Sequence, residues 1–146
     1  MPRNQNRALL KAETELEETR RPPTALLFSD DKALMDFVLG VVKHPWRLIQ
    51  YRAAAHVSRE AFAQPNVRLV VLDDQAVDEN SRGMLLTQIR RRFAGTPLLY
   101  VAATQTDGNE KRARTNGAHY YASKPLSLDR FGYVLRSFLQ AQQIKH

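Results

Sequence analysis

Two short acidic runs are the part of this sequence whose residue types could do chemistry. They are Phe28-Ser29-Asp30-Asp31 and Val71-Leu72-Asp73-Asp74, and each places carboxylates directly after large apolar residues. Clustered carboxylates repel one another unless a cation offsets their charge. A divalent ion with oxygen ligands would do this, and the ammonium group of Lys124 would help. The alternative is that some of these acids only cap helices or turns, which Asp31 is well placed to do.

The elements that must position these acids alternate along the chain. Short apolar runs predict strands, and apolar residues at helical spacing predict the helices between them. The predicted strands are 25–28, 46–51, 68–72, 97–103 and 119–123, and the predicted helices are 32–43, 53–64, 83–93, 109–116 and one after Ser127. Strands that alternate with helices indicate a doubly wound α/β fold with a five-stranded parallel sheet covered on both sides.

Local signals mark two of the helix ends. Gly117 suits the left-handed position that follows a helix, and Ser127 suits the position before the last helix. We expect that last helix to bury one apolar stripe, formed by Leu128, Phe131, Leu135, Phe138 and Leu139.

The length of 146 residues predicts a single domain preceded by a short arm. Arg21-Pro22-Pro23 stops any helix that begins earlier, so residues 1–23 are read as an N-terminal arm or linker and 24–142 as the domain. The chain contains no cysteine, which excludes disulfides and thiolate metal sites. It contains no apolar stretch near the roughly 18 residues that span a bilayer, so we expect a cytoplasmic protein without membrane contact.

The formal net charge of +7 raises the question of nucleic acid. The densest basic run, Arg90-Arg91-Arg92, has no interleaved aromatic residues for base stacking. We therefore read it as a solvated helix face and do not expect the domain to bind nucleic acid by itself.

Ligands of doubly wound sheets bind where the strands end, and the residues at these ends resemble a known family. Phe28-Ser29-Asp30-Asp31-Lys32, Leu69-Val70-Val71-Leu72-Asp73 and Asn116-Gly117-Ala118, followed by Tyr121 and Lys124-Pro125, resemble the receiver (CheY-like) domains of two-component response regulators. The resemblance extends over about residues 24–142. It implies a flavodoxin-like (βα)5 fold and a Lys124–Pro125 peptide bond that is cis.

The resemblance also implies a function, which is to accept a phosphoryl group rather than to act as an enzyme with catalytic residues. Asp73, or alternatively Asp74, would take the group from a sensor histidine kinase or a phosphotransfer protein. Asp30, Asp31 and Asp73 would hold Mg²⁺, and Lys124 would contact the phosphoryl oxygens. The signal would pass to an unknown downstream protein through protein contacts, and such a module could also form a homodimer.

Two features keep alternatives open. The first acidic run fits two registers, with either Asp30 and Asp31 or Ser29 and Asp30 in the place of the metal-holding pair. In the implied switch region, which comprises Ala102, Tyr121 and Pro125, alanine stands where the family usually carries a hydroxyl. The receiver is therefore atypical, and the alternative function is a degenerate, receiver-like interaction scaffold that is not phosphorylated.

Overall fold

Strands and helices alternate through the part of the chain that the computed structural model describes, residues 21–52 and 58–144. The strands are β1 (Thr24–Phe28), β2 (Arg47–Tyr51), β3 (Val67–Asp73), β4 (Leu98–Ala102) and β5 (Tyr120–Ser123). The helices are α1 (Lys32–Val41), α2 (Ser58–Phe62), α3 (Arg82–Arg92), α4 (Asp107–Thr115) and α5 (Leu128–Ile144). Two short 3₁₀ turns, Asp74–Ala76 and Glu79–Ser81, lead from β3 to α3.

The five strands form one parallel sheet in the order β2-β1-β3-β4-β5. The chain first moves from β1 to β2 on one side, then crosses to β3 on the other side and continues outwards. The order therefore reverses at β1 and β3, and a crevice forms beyond the carboxyl ends of these two strands. This architecture confirms the predicted doubly wound α/β fold.

The sheet separates two apolar cores because successive side chains of a strand point to opposite faces. In β3, Leu69 and Val71 face the layer of α1 and α5, whereas Val70 and Leu72 face the layer of α2, α3 and α4. All four are fully buried, or within one per cent of it. A continuous apolar run is what a strand covered on both faces requires.

Most predicted boundaries agree with the structure to within two residues. Gly117 has a φ of 97°, the left-handed conformation predicted for it. Helix α4 begins two residues earlier than predicted because the Thr106 hydroxyl accepts a hydrogen bond from the Asn109 amide and caps it. The predicted burial of Leu128 is wrong: its side chain is 52% exposed, since it belongs to the first residue of α5, ahead of the turns that lie on the sheet.

Two predictions fall partly outside the described residues. The predicted arm, residues 1–23, is described only from residue 21. The predicted helix 53–64 is described only from residue 58, and its described part, α2, ends at Phe62. Within the described ranges, no helix combines the length and the apolar character needed to cross a bilayer.

Candidate functional site

The side chains that end β1, β3 and β5 meet at the carboxyl edge of the sheet. Asp73 is the last residue of β3, Ser29 follows β1 and Lys124 follows β5. The Ser29 hydroxyl donates to Asp73 Oδ2 over 2.7 Å, and Lys124 Nζ donates to the same oxygen over 2.9 Å. These three residues are far apart in sequence, so the parallel sheet brings them together.

The Asp73 carboxylate is completely buried, and both of its oxygens accept hydrogen bonds. Besides the two donors to Oδ2, the Gln75 amide donates to Oδ1 over 3.1 Å. A buried carboxylate is tolerated only with such partners, because an unpaired charge away from water is very unfavourable. These hydrogen bonds hold the Asp73 carboxylate in a fixed orientation at the strand end.

Lys124 links this carboxylate to a second one. Its ammonium group lies 2.9 Å from Asp31 Oδ2 and also donates to the side-chain oxygen of Gln75. Burial by itself lowers the pKa of Lys124, but the hydrogen bonds and negative charges of Asp73 and Asp31 outweigh it and raise that pKa above its ordinary value. Lys124 therefore remains a cation at neutral pH.

Asp31 has two roles at this edge. Its Oδ1 accepts from the Leu34 amide over 3.2 Å and so caps α1, as the alternative interpretation of the sequence proposed. The hydrogen bond from Lys124, followed by that from the Leu34 amide, lowers the pKa of Asp31 below its ordinary value. The helix cap and the ion pair therefore coexist on one carboxylate.

The first acidic run contributes Ser29 and Asp31 to the cluster. Ser29 is buried and reaches Asp73, and Asp31 reaches Lys124, whereas the Asp30 side chain between them is exposed. Residues two positions apart in extended backbone share a direction and the middle one points away. The structure therefore does not bring Asp30 into this cluster, and a serine takes the place of one carboxylate.

The donor chemistry of the cluster suits Mg²⁺. Asp31 and Asp73 supply carboxylate oxygens and Ser29 supplies a hydroxyl, and Mg²⁺ commonly uses one or two carboxylates and completes its shell with water. Within residues 21–52 and 58–144, no three His, Cys, Asp or Glu side chains are grouped as a metal site. Lys124 contacts both carboxylates, so the ammonium group supplies the positive charge that a cation would otherwise contribute.

Asp74, the alternative acceptor, points to the opposite face of the sheet. Its Oδ2 accepts from the Tyr100 hydroxyl over 3.0 Å and its Oδ1 from the Ala103 amide over 2.8 Å. Arg82 Nη1 lies 3.9 Å from Oδ2. Sequence reasoning missed this network of Asp74, Tyr100, Ala103 and Arg82. The available signal was the direct succession of two acids, since adjacent residues of a strand cannot face the same side.

The three residues of the implied switch region lie near this network and near the pocket formed by Ser29, Asp31, Asp73 and Lys124. Ala102 is fully buried at the end of β4, and Tyr121 is 8% exposed. The Tyr121 ring stacks on that of Tyr100, with centroids 5.6 Å apart and planes 10° apart. The Lys124–Pro125 peptide bond is cis, as the resemblance implies.

Comparisons with known proteins agree with this arrangement. A response regulator receiver domain protein (CheY-like) from Methanospirillum hungatei has a TM-score of 0.69 at 16% identity, over 85% of this chain and 98% of that one. The described chain has the receiver fold. A two-component response regulator from Clostridium difficile gives 0.67 at 18% identity, over 81% and 96% of the two chains. A response regulator from Thermotoga maritima gives 0.67 at 18% identity, over 81% and 98%.

No family model matches the chain, and no curated protein matches it. The likeness to solved receiver domains is thus one of fold at low sequence identity. In this receiver fold the cluster of Ser29, Asp31, Asp73 and Lys124 occupies the crevice at the reversal of strand order, where doubly wound sheets bind their ligands.

Proposed function

We propose that this chain is a response-regulator receiver module of the cytoplasm, in which Asp73 accepts a phosphoryl group with Mg²⁺ as cofactor. The donor would be a histidine kinase or a phosphotransfer protein, and the signal would leave through protein contacts. The observation that carries the proposal is the pairing of the buried Asp73 carboxylate with Lys124 and Ser29 in the crevice of a receiver fold.

The chemistry needs an ionised carboxylate beside a fixed cation. An oxygen of Asp73 attacks the phosphorus of the donor's phosphohistidine, the new O–P bond forms and the P–N bond breaks. The departing imidazole nitrogen takes a proton from solvent, and Asp73 becomes an acyl phosphate. The Lys124 ammonium, which already contacts Asp73 Oδ2, stabilises the negative charge on the transferred oxygens.

Mg²⁺ would be held by Asp31 and Asp73, the two carboxylates that Lys124 joins. When bound, it supplies charge neutralisation for the phosphoryl oxygens. The chain's own residues control access to the acceptor: Gln75 is exposed, and its side chain bonds to Lys124 above the buried Asp73.

Asp73 is favoured over Asp74 because of what each carboxylate contacts. Asp73 has the Lys124 ammonium beside it, as phosphoryl transfer requires. Both oxygens of Asp74 are engaged by Tyr100 and Ala103 on the other face of the sheet. An attack from Asp74 would require those hydrogen bonds to break and the side chain to turn through the backbone of β3.

The test is incubation with acetyl phosphate and Mg²⁺, followed by intact-mass measurement. We expect one added phosphoryl group, which is absent without Mg²⁺. Borohydride reduction of the acyl phosphate and peptide mass analysis then identify the modified residue in the unmutated chain. Asp73→Asn should abolish the adduct, whereas Asp78→Asn, an equal change of charge at an exposed neighbour, should retain it.

Three outcomes would contradict the proposal. One is no adduct under conditions that label a control receiver, which would leave the phosphorylation-independent scaffold as the function. Another is a reduced residue at Asp74, which would move the acceptor. The third is an adduct that persists in a folded Asp73→Asn variant.

A further inference from the structure

The buried Asp74 residue connects the end of β3 to β4 and to the first residue of α3. It follows β3 directly and is 1% exposed. Its carboxylate accepts one hydrogen bond from the amide of Ala103, the first residue after β4, and another from the hydroxyl of Tyr100, which lies within β4. Arg82, the first residue of α3, donates to the Asp74 carbonyl over 3.2 Å and approaches the carboxylate.

These contacts reach Tyr121 through Tyr100. The two tyrosines are register partners on β4 and β5, and their rings are stacked. Burial, then the charge of Asp74 and the hydrogen bond to it, raise the pKa of Tyr100 well above its ordinary value. Its hydroxyl therefore stays protonated and remains a donor to Asp74 throughout the neutral range.

The last residue of β4 is an alanine. Ala102 has no hydroxyl, so its side chain cannot hydrogen-bond to a group held at Asp73. The Asp74 side chain, on the residue after Asp73, already accepts a hydrogen bond from the Ala103 amide. Arg82, with a side chain 19% exposed, offsets the charge within the network.

We propose that Asp74 is a built-in latch, a positioning residue that holds the start of the β4–α4 connection and the Tyr100–Tyr121 pair in one arrangement, whether or not Asp73 is phosphorylated. The independence from phosphorylation rests on the proposed function, whereas the positioning role of Asp74 does not. The face formed by α4 and β5 would then be presented to partners permanently, and phosphorylation would alter the pocket rather than this face.

The positioning part is tested by amide hydrogen exchange, measured by NMR on the full chain without phosphodonor. Asp74→Leu removes the acceptor, and we expect the Ala103 amide to exchange about tenfold faster, the effect of losing one hydrogen bond to a charged group. Asp78→Asn is the exposed control. Tyr100→Phe keeps Asp74 and the aromatic ring but removes one hydrogen-bond donor. The Tyr121 amide should therefore exchange faster in this variant than in Tyr133→Phe, the control at an exposed position.

The regulatory part uses acetyl phosphate and Mg²⁺ with the adduct measured by mass in the same samples. We expect exchange at Ala103 and Tyr121 in the unmutated chain to change less than about twofold on phosphorylation, and to change by about tenfold in Tyr100→Phe, whose latch is weakened. A merely structural role for Asp74 would not make the response to phosphorylation depend on Tyr100.

The outcomes are separable from those of the proposed function. A tenfold change at Ala103 or Tyr121 when the unmutated chain is phosphorylated would overturn the latch. So would equal Ala103 exchange in folded Asp74→Leu and Asp78→Asn proteins, a comparison that needs no adduct. Failure to form any adduct would overturn the phosphoryl-acceptor function and the independence from phosphorylation that rests on it, while the exchange comparison still decides the positioning role.

Discussion

Lys124 and Asp73 form a hydrogen-bonded ion pair, 2.9 Å from Nζ to Oδ2, although β4 lies between β3, which ends at Asp73, and β5, which Lys124 follows. The lysine spans this strand because it projects from the loop beyond the sheet edge, where no strand separates the two side chains. The Asp73 side chain is fully buried and that of Lys124 is 16% exposed. The pair therefore has the properties of an interior contact rather than those of a surface salt bridge.

Lys124→Met should destabilise the fold because it removes one hydrogen-bond donor from the buried Asp73 carboxylate. We expect the free energy of unfolding to fall by about 1–3 kcal/mol, the usual cost of leaving a buried polar group unsatisfied. Urea unfolding measures the change. Lys111→Met, at an exposed position of α4, is the matched control and should change stability by less than about 0.5 kcal/mol. Equal stability of the two variants would mean that Asp73 does not depend on its ammonium partner.

Asp31 should contribute stability that depends on pH in a defined direction. Its pKa lies below the ordinary value of 3.8, so its contribution is fully present above pH 3.8 and is lost as the pH falls through the folded-state value. The difference in unfolding free energy between the wild type and Asp31→Asn should be constant between about pH 5 and 7 and shrink below pH 3.8. Because the side chain is 31% exposed, this difference should not exceed about 1 kcal/mol.

Asp78→Asn, the same change of side chain at an exposed position, is the control for this measurement. A difference for Asp31→Asn that grows on acidification would have the wrong sign and would contradict the ion pair with Lys124.

Ser29→Asp should convert the pocket into a stronger cation site. A third carboxylate beside Asp31 and Asp73 adds like-charge repulsion in a buried position, so the variant should lose about 1–3 kcal/mol of stability in the presence of a chelator. Added Mg²⁺ should restore it, since a ligand that binds only the folded state stabilises by mass action. Urea unfolding with and without Mg²⁺ measures both effects.

Ser29→Asn is the control for this variant, because asparagine is similar in size to aspartate but carries no charge. It should respond to Mg²⁺ no more than the wild type does. A Ser29→Asp protein whose stability is unaffected by Mg²⁺ would show that the cluster does not accept a divalent cation.

Ala102→Thr restores a hydroxyl but should disturb the packing around Tyr121. Ala102 is completely buried in the core that contains Tyr100 and Tyr121, and additional atoms in a filled core typically cost about 1–3 kcal/mol. We expect that loss in urea unfolding together with a displaced Tyr121 ring in NMR spectra. Ala141→Thr, at an exposed position of α5, should cost only about 0.5 kcal/mol. A stable Ala102→Thr protein with an unmoved Tyr121 would indicate free space beside the ring.

The sequence alone determined the fold and the edge at which the chemistry lies. Apolar runs that alternate with helical patterns require a covered parallel sheet, and such a sheet gathers every strand's carboxyl end at one edge. The acids after β1 and β3 and the lysine after β5 were therefore predictable as neighbours. Gly117 was predictable as well, because its position after a helix requires a backbone conformation that other residues adopt at a cost.

Only the tertiary structure decided which member of each acidic pair enters the pocket. A shift of one residue turns a side chain to the opposite face, and the composition of Ser29-Asp30-Asp31 or Asp73-Asp74 does not reveal that shift. The direction depends on where Lys124, Tyr100 and the Ala103 amide lie once the strands are in register. Those partners are between 26 and 51 residues away from the Asp73 and Asp74 side chains that they contact. Such contacts depend on the register of β3, β4 and β5, which is a property of the packed sheet rather than of any local stretch of chain.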